Sequence, residues 1–141
     1  AKLIELHTSQ LNKFEQYAQK SQWDEFHSNH YDWWAYPIDE SSGHGDMYKL
    51  QRKDIEELKQ NQLFMKNLNR ILELGSMAWG WDLKNRKRFN NCHKYQKWQD
   101  WPIRLYKMTK CAVVFGLSEI YHSLKGFGQL LISEGHQFTF Y

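Results

Sequence analysis

The sequence predicts an all-α protein, a single domain over residues 1–141 built as a bundle of four or five helices around an irregular aromatic-proline insert. Three observations carry that reading. Residues 63–79 place Phe64, Leu68, Ile71, Leu72, Gly75, Ala78 and Trp79 on one broad stripe at helical spacing. Near the amino end, Leu11, Phe14 and Ala18 recur three and four residues apart, with Leu3, Ile4 and His7 extending the stripe backward. Pro102 stands where the first turn of a third long helix tolerates it, since its missing N–H has no partner there in any case.

Taken in order, the first helix is expected over residues 8–26, with Thr8 or Ser9 as cap, or beginning a turn earlier. The pattern then fails. Residues 27–46 hold Trp33, Trp34 and Tyr36 ahead of Pro37, which biases Tyr36 toward extended backbone, and end in the loop-forming Ser41-Ser-Gly-His-Gly45. Large rings are costly to leave in water, so this insert should be clasped by the flanking helices. Lys53-Asp-Ile-Glu-Glu-Leu-Lys59 reads as a short helix capped by Asp54, with Ile55 and Leu58 facing inward. Gly80 is placed to end the helix over 63–79. Residues 84–97 carry six Lys/Arg and no acid, and read as a basic loop. A helix follows from near Asp100 to about Leu124; its apolar run Cys111-Ala-Val-Val-Phe-Gly-Leu117 marks it as central, and Gly126 and Gly128 are expected to break it before a last turn over 129–133. The predicted core is Phe14, Trp34, Tyr36, Leu68, Ile71, Leu72, Val113, Phe115 and Leu117.

Composition narrows the function classes. A chain of 141 residues buries roughly two thirds of the surface its unfolded form exposes, enough for one core. No run of about 18 apolar residues is present, so no membrane span is expected. The first residues lack the apolar core of a secretory signal, and Cys92 and Cys111 stand alone, as suits a reducing compartment; the expected location is cytoplasmic. Charge is uneven. Residues 1–82 hold nine Lys/Arg against thirteen Asp/Glu, a net −4, and residues 83–141 hold ten against three, a net +7.

Four readings of the chemistry follow. His27, His30, His44 and Asp46 have donor types that suit a borderline metal, but such spacings are common and serve more often as hydrogen-bonded structural histidines; no cofactor is expected. Asp32, Asp39 and Asp46 with His30 or His44 offer acid–base groups, yet no nucleophile elbow, phosphate loop or dinucleotide fingerprint is present, so no catalytic residue is assigned. Lys84, Arg86, Lys87, Arg88, Lys94 and Lys97, interleaved with Phe89, Tyr95 and Trp98, give an alternative reading as a nucleic-acid contact, cations on phosphate and rings on bases. The preferred reading is a non-enzymatic protein-binding or regulatory module. Trp33, Trp79, Trp81, Arg86, Lys87 and Arg88 would meet a partner with an anionic surface.

Tyr31-Asp-Trp-Trp34-Ala-Tyr36-Pro37-Ile38 resembles the aromatic-proline motif Tyr-x-x-Trp-x-Phe-Pro-Leu of the opioid growth factor receptor conserved region. Lys87, Arg88 and Phe89, the following Trp, Arg104 and Gly116-Leu117 resemble that family in order and approximate spacing, over residues 14–125. The resemblance implies an all-helical, non-enzymatic module and carries no peptide-receptor function to this chain.

Overall fold

The structure is a computed structural model and describes residues 2–28, 36, 51–90, 92, 94, 96–98 and 102–135. Among these residues six helices form, with one two-stranded hairpin: α1 (Lys2–Gln19), α2 (Trp23–Ser28), α3 (Arg52–Lys59), α4 (Gln62–Ala78), β1 (Trp81–Asp82), β2 (Lys87–Arg88), α5 (Pro102–Val114) and α6 (Ser118–Ser133). The fold is all-α, as predicted, but the helices outnumber the four or five expected. Two of the long helices are each divided.

The first division is at Ser21, which takes φ +54°. Its N–H donates to the Ala18 carbonyl and that of Gln22 to the Tyr17 carbonyl, the double closure that ends a helix on a left-handed residue. Glycine normally fills that position, so a serine there gives the sequence no stop signal. α1 also begins at Lys2, which puts Thr8 and Ser9 inside it instead of at a cap. The second division is at Gly116, φ +71°, where Gly116 N–H bonds Val113 and Leu117 N–H bonds Ala112 in the same pattern. α6 then runs unbroken through Gly126 and Gly128, contrary to the expected break. A Cβ on Gly128 would lie 3.9 Å from Leu105 Cδ2, so this glycine faces α5 at ordinary packing distance.

α4 is the axis of the core. Phe64, Leu68, Ile71, Leu72 and Leu74 are fully buried on it, and it touches α1, α2, α3 and β1. Its start is capped by Asn61, whose side chain accepts from Phe64 N–H at 2.9 Å. In α3 Asp54 is not the cap residue: it sits in the first turn and accepts from the Gln51 backbone N–H at 3.0 Å. α1 lays Phe14 against Phe26 of α2, ring centroids 4.1 Å apart, and His7 against Phe64 at 4.8 Å. Arg70 of α4 grips both Glu15 oxygens on α1 and Glu73 on its own helix, which holds its guanidinium pKa above the ordinary value.

α5 and α6, joined by residues 115–117, pack on one another. Phe115 meets Phe64 at 5.5 Å, and Arg104, 2% exposed, donates from Nη1 to the His27 carbonyl at 3.2 Å. Gly75 lets α4 approach closely here: a Cβ on it would stand 2.2 Å from Tyr36 Oη and 3.0 Å from Met108 Cε. Of the predicted core, Phe14, Tyr36, Leu68, Ile71, Leu72 and Phe115 are buried. Val113 is 52% exposed, because α5 turns one face of its apolar run outward, and Leu117, in the reversal after α5, is only partly buried. Trp34 lies outside the described residues.

Candidate functional site

Where the sequence suggested a plain basic loop, the chain forms a hairpin. Trp81 pairs with Arg88 and Asp82 with Lys87, antiparallel. The turn is closed by the Arg86 N–H to the Asp82 carbonyl at 2.8 Å, and by the Asp82 carboxylate accepting from Asn85 Nδ2 at 2.7 Å and Asn85 N–H at 3.2 Å. The Asn85 side-chain bond holds the Asp82 carboxyl below its usual pKa. Arg86 adopts φ +55° to complete the turn.

Two apolar side chains root this hairpin. Trp81 and Leu83 are 3% and 7% exposed, and the Trp81 ring lies 4.9 Å from Phe127 of α6. Beyond that root, Lys84, Asn85, Arg86, Lys87 and Arg88 are all exposed. The sequence alternates accordingly: Trp81 and Leu83 face the core while the tip carries cations into water.

Glutamates from three directions meet the tip. Arg86 pairs with Glu119 at 3.0 Å, Arg88 makes a two-pronged bond to Glu134, and Lys84 lies 3.6 Å from Glu73. The Glu134 bond holds the Arg88 guanidinium above its ordinary pKa. Between α4, the turn and α6 lies a cleft of about 440 Å³, and among the described residues its charged lining is Lys66, Arg70, Lys84 and Arg86 with Glu73 and Glu119. Lys66, Arg70, Glu73, Glu119 and Glu134 were not singled out from the sequence. Only Arg70 and Glu73, three apart on one helix face, left a local signal.

The remaining predicted site residues are distributed as follows. Trp79 and Trp81 are each 3% exposed, so they support the surface from beneath and do not present it, which corrects the expectation that they anchor a partner. Trp33 lies outside the described residues, as do His30, His44, Asp46, Asp32, Asp39 and Tyr95. His27 is buried, and its Nε2 donates to the Ala78 carbonyl at 2.8 Å, so that nitrogen carries a proton and is committed to the backbone instead of a metal. Among the described residues no three His, Cys, Asp or Glu side chains come together as a metal site. Lys94 and Lys97 are exposed, whereas Trp98 packs edge-on against Trp79 at 4.7 Å and Phe127 at 5.9 Å. Cys92 is exposed and Cys111 is buried, and burial raises both thiol pKa values. Among the described residues no helix is long and apolar enough to cross a membrane.

No family model, curated protein or solved structure matches this chain.

Proposed function

We propose that this chain is a non-enzymatic, protein-binding regulatory module whose contact surface is the hairpin tip, and that its partner presents clustered carboxylates. The observation that carries the reading is the run of five exposed residues, Lys84 to Arg88, held on a hairpin rooted by two buried side chains. A rooted tip presents its cations in fixed geometry, which lowers the ordering cost of binding. Arg86, Arg88 and Lys84 are matched by Glu119, Glu134 and Glu73 at the surface. Exposed pairs of this kind contribute about 0–1 kcal/mol each, so a partner's carboxylates can exchange with them at small cost. The packing of Trp98 against Trp79 and Phe127 favours protein over single-stranded nucleic acid, which needs open ring faces for stacking. The resemblance of residues 31–38 to the opioid growth factor receptor conserved region points toward a non-enzymatic module as well, and the separate Cys92 and Cys111 suit a cytoplasmic setting.

Affinity capture from the source cell, with and without nuclease, tests the reading. A protein partner should remain after nuclease, and the variant with Arg86, Lys87 and Arg88 all changed to Ala should associate several-fold more slowly, with the difference fading as salt is raised. Nucleic acid released by nuclease, with affinity falling steeply with salt, would replace this reading by the nucleic-acid one.

A further inference from the structure

α6 has two faces. The hairpin covers the side that carries Ser123 and Phe127, and from it Arg86 reaches the exposed Glu119. On another side, between α5 and α6, runs a trough of about 340 Å³, walled by Tyr106, Lys110 and Val113 from α5 and by Tyr121, Lys125 and Ile132 from α6. Gly128 contributes no side chain to it, and Val113 and Ile132 are each 52% exposed. These are two of the three large apolar side chains that stand most exposed among the described residues. The trough therefore leaves apolar surface in water where the hairpin side of α6 is covered.

Its charge is one-sided. Among the described residues no carboxylate lines it, and the exposed Lys125 stands on its α6 wall. α5 carries no acidic residue, and the single one of α6, Glu119, is turned to Arg86 on the hairpin side. From the apolar walls and the exposed Lys125 beside them we infer that this trough is a second docking site, separate from the hairpin tip, for an acidic amphipathic helix of another protein. Apolar side chains three, four and seven residues apart on such a helix would fill the trough between Val113 and Ile132, with glutamates or aspartates set beside Lys125. A small apolar ligand fits less well: small-molecule sites bury roughly 70–90% of their ligand, and this trough is open along its exposed walls. A symmetric pair of copies fits less well too, since a two-fold contact here would set the same lysine-bordered surfaces against each other.

The test uses the full chain and two synthetic 20-residue helical peptides. One carries a Leu/Phe stripe flanked by Glu, and the other is identical except for Lys in place of every Glu. The Glu peptide should shift the amide resonances of Val113, Tyr121, Lys125 and Ile132, in the parent and in a chain whose hairpin cations are removed alike, and the Lys peptide should not shift them. V113D and I132D alter half-exposed positions and should keep the thermal midpoint while weakening the Glu peptide at least tenfold; K125E should weaken it and allow the Lys peptide to bind. The Arg86, Lys87, Arg88 triple Ala variant should bind the Glu peptide as the parent does, which separates this site from the hairpin reading. Equal binding of both peptides, shifts confined to the hairpin, tighter occupation of the trough by a fatty acid such as decanoate, or a dimer in sedimentation that V113D disperses would each overturn the inference.

Discussion

The Trp81 indole nitrogen donates to the Ser123 hydroxyl at 3.1 Å, and that hydroxyl donates in turn to the Leu83 carbonyl at 2.6 Å. One buried serine on α6 thus fastens the hairpin at two points, and the exposed basic tip inherits its position from that tie. Replacing Ser123 with Ala strands a buried donor and a buried acceptor, each costing about 1–3 kcal/mol when unpaired. The denaturation midpoint should fall accordingly with an unchanged m-value, and Ser123→Thr should recover part of the loss. An unaltered midpoint in the Ala variant would show that the hairpin is held by ring packing alone.

Gly75 should resist its usual improvement. Ala in a helix interior is favoured over Gly by about 0.5–1 kcal/mol, yet here its Cβ would press into Tyr36 Oη at 2.2 Å. Gly75→Ala should therefore destabilise by about 1–3 kcal/mol, the range for overpacked cores. Tyr36→Phe in the same chain should restore part of that loss, so the double-mutant cycle should return a favourable coupling. Additive effects would mean that the two residues do not meet.

Arg70 links α1 to α4 through both oxygens of Glu15 and also holds Glu73. Lysine cannot reproduce the two-pronged geometry, so Arg70→Lys should cost about 0.5–1 kcal/mol in thermal denaturation at low salt and less at high salt. A loss independent of salt would assign the effect to the packing of the side chain's stem.

Asp82 sets a pH dependence. Its folded pKa lies below the usual 3.8, chiefly through the Asn85 side chain, so the unfolded chain takes up the proton more readily. The stability it contributes is fully present above the usual value and is lost as pH falls through the depressed one. A carboxyl-carbon titration by NMR should find Asp82 below its ordinary range and find it displaced upward in Asn85→Ala. Identical titration in both proteins would break the link between this turn and its carboxylate.

Element type was legible in the sequence because apolar periodicity is a direct imprint of burial, and the stripe of Phe64, Leu68, Ile71 and Leu72 is the clearest case. Helix ends were less so. Ser21 closes α1 without the glycine that would announce it, whereas Gly126 and Gly128 announce stops that α6 passes over, because packing on α5 outweighs a propensity cost of about 1 kcal/mol each. At the candidate site, the cations of residues 84–88 were visible as composition. Their carboxylate partners were not: Glu119 lies 33 residues and Glu134 46 residues along the chain from the arginines they meet. Trp79 and Trp81 illustrate a different limit, since an indole beside a glycine reads equally as a surface anchor or as core until the fold covers it.

The tight reversal at residues 115–117 also bears on how the chain finds its fold. α5 and α6 become neighbours by closing a very short loop, whereas α1 reaches α4 only across the 42 residues between Gln19 and Gln62. Closing a longer loop costs more chain entropy before any contact rewards it. The carboxyl-terminal helix pair is thus the natural first structure to gather, with the amino-terminal helix docking last. In pulse-labelled hydrogen exchange the amides of Met108 and Leu124 should gain protection before those of Leu11 and Phe14, and the reverse order would place the nucleus at the other end of the molecule.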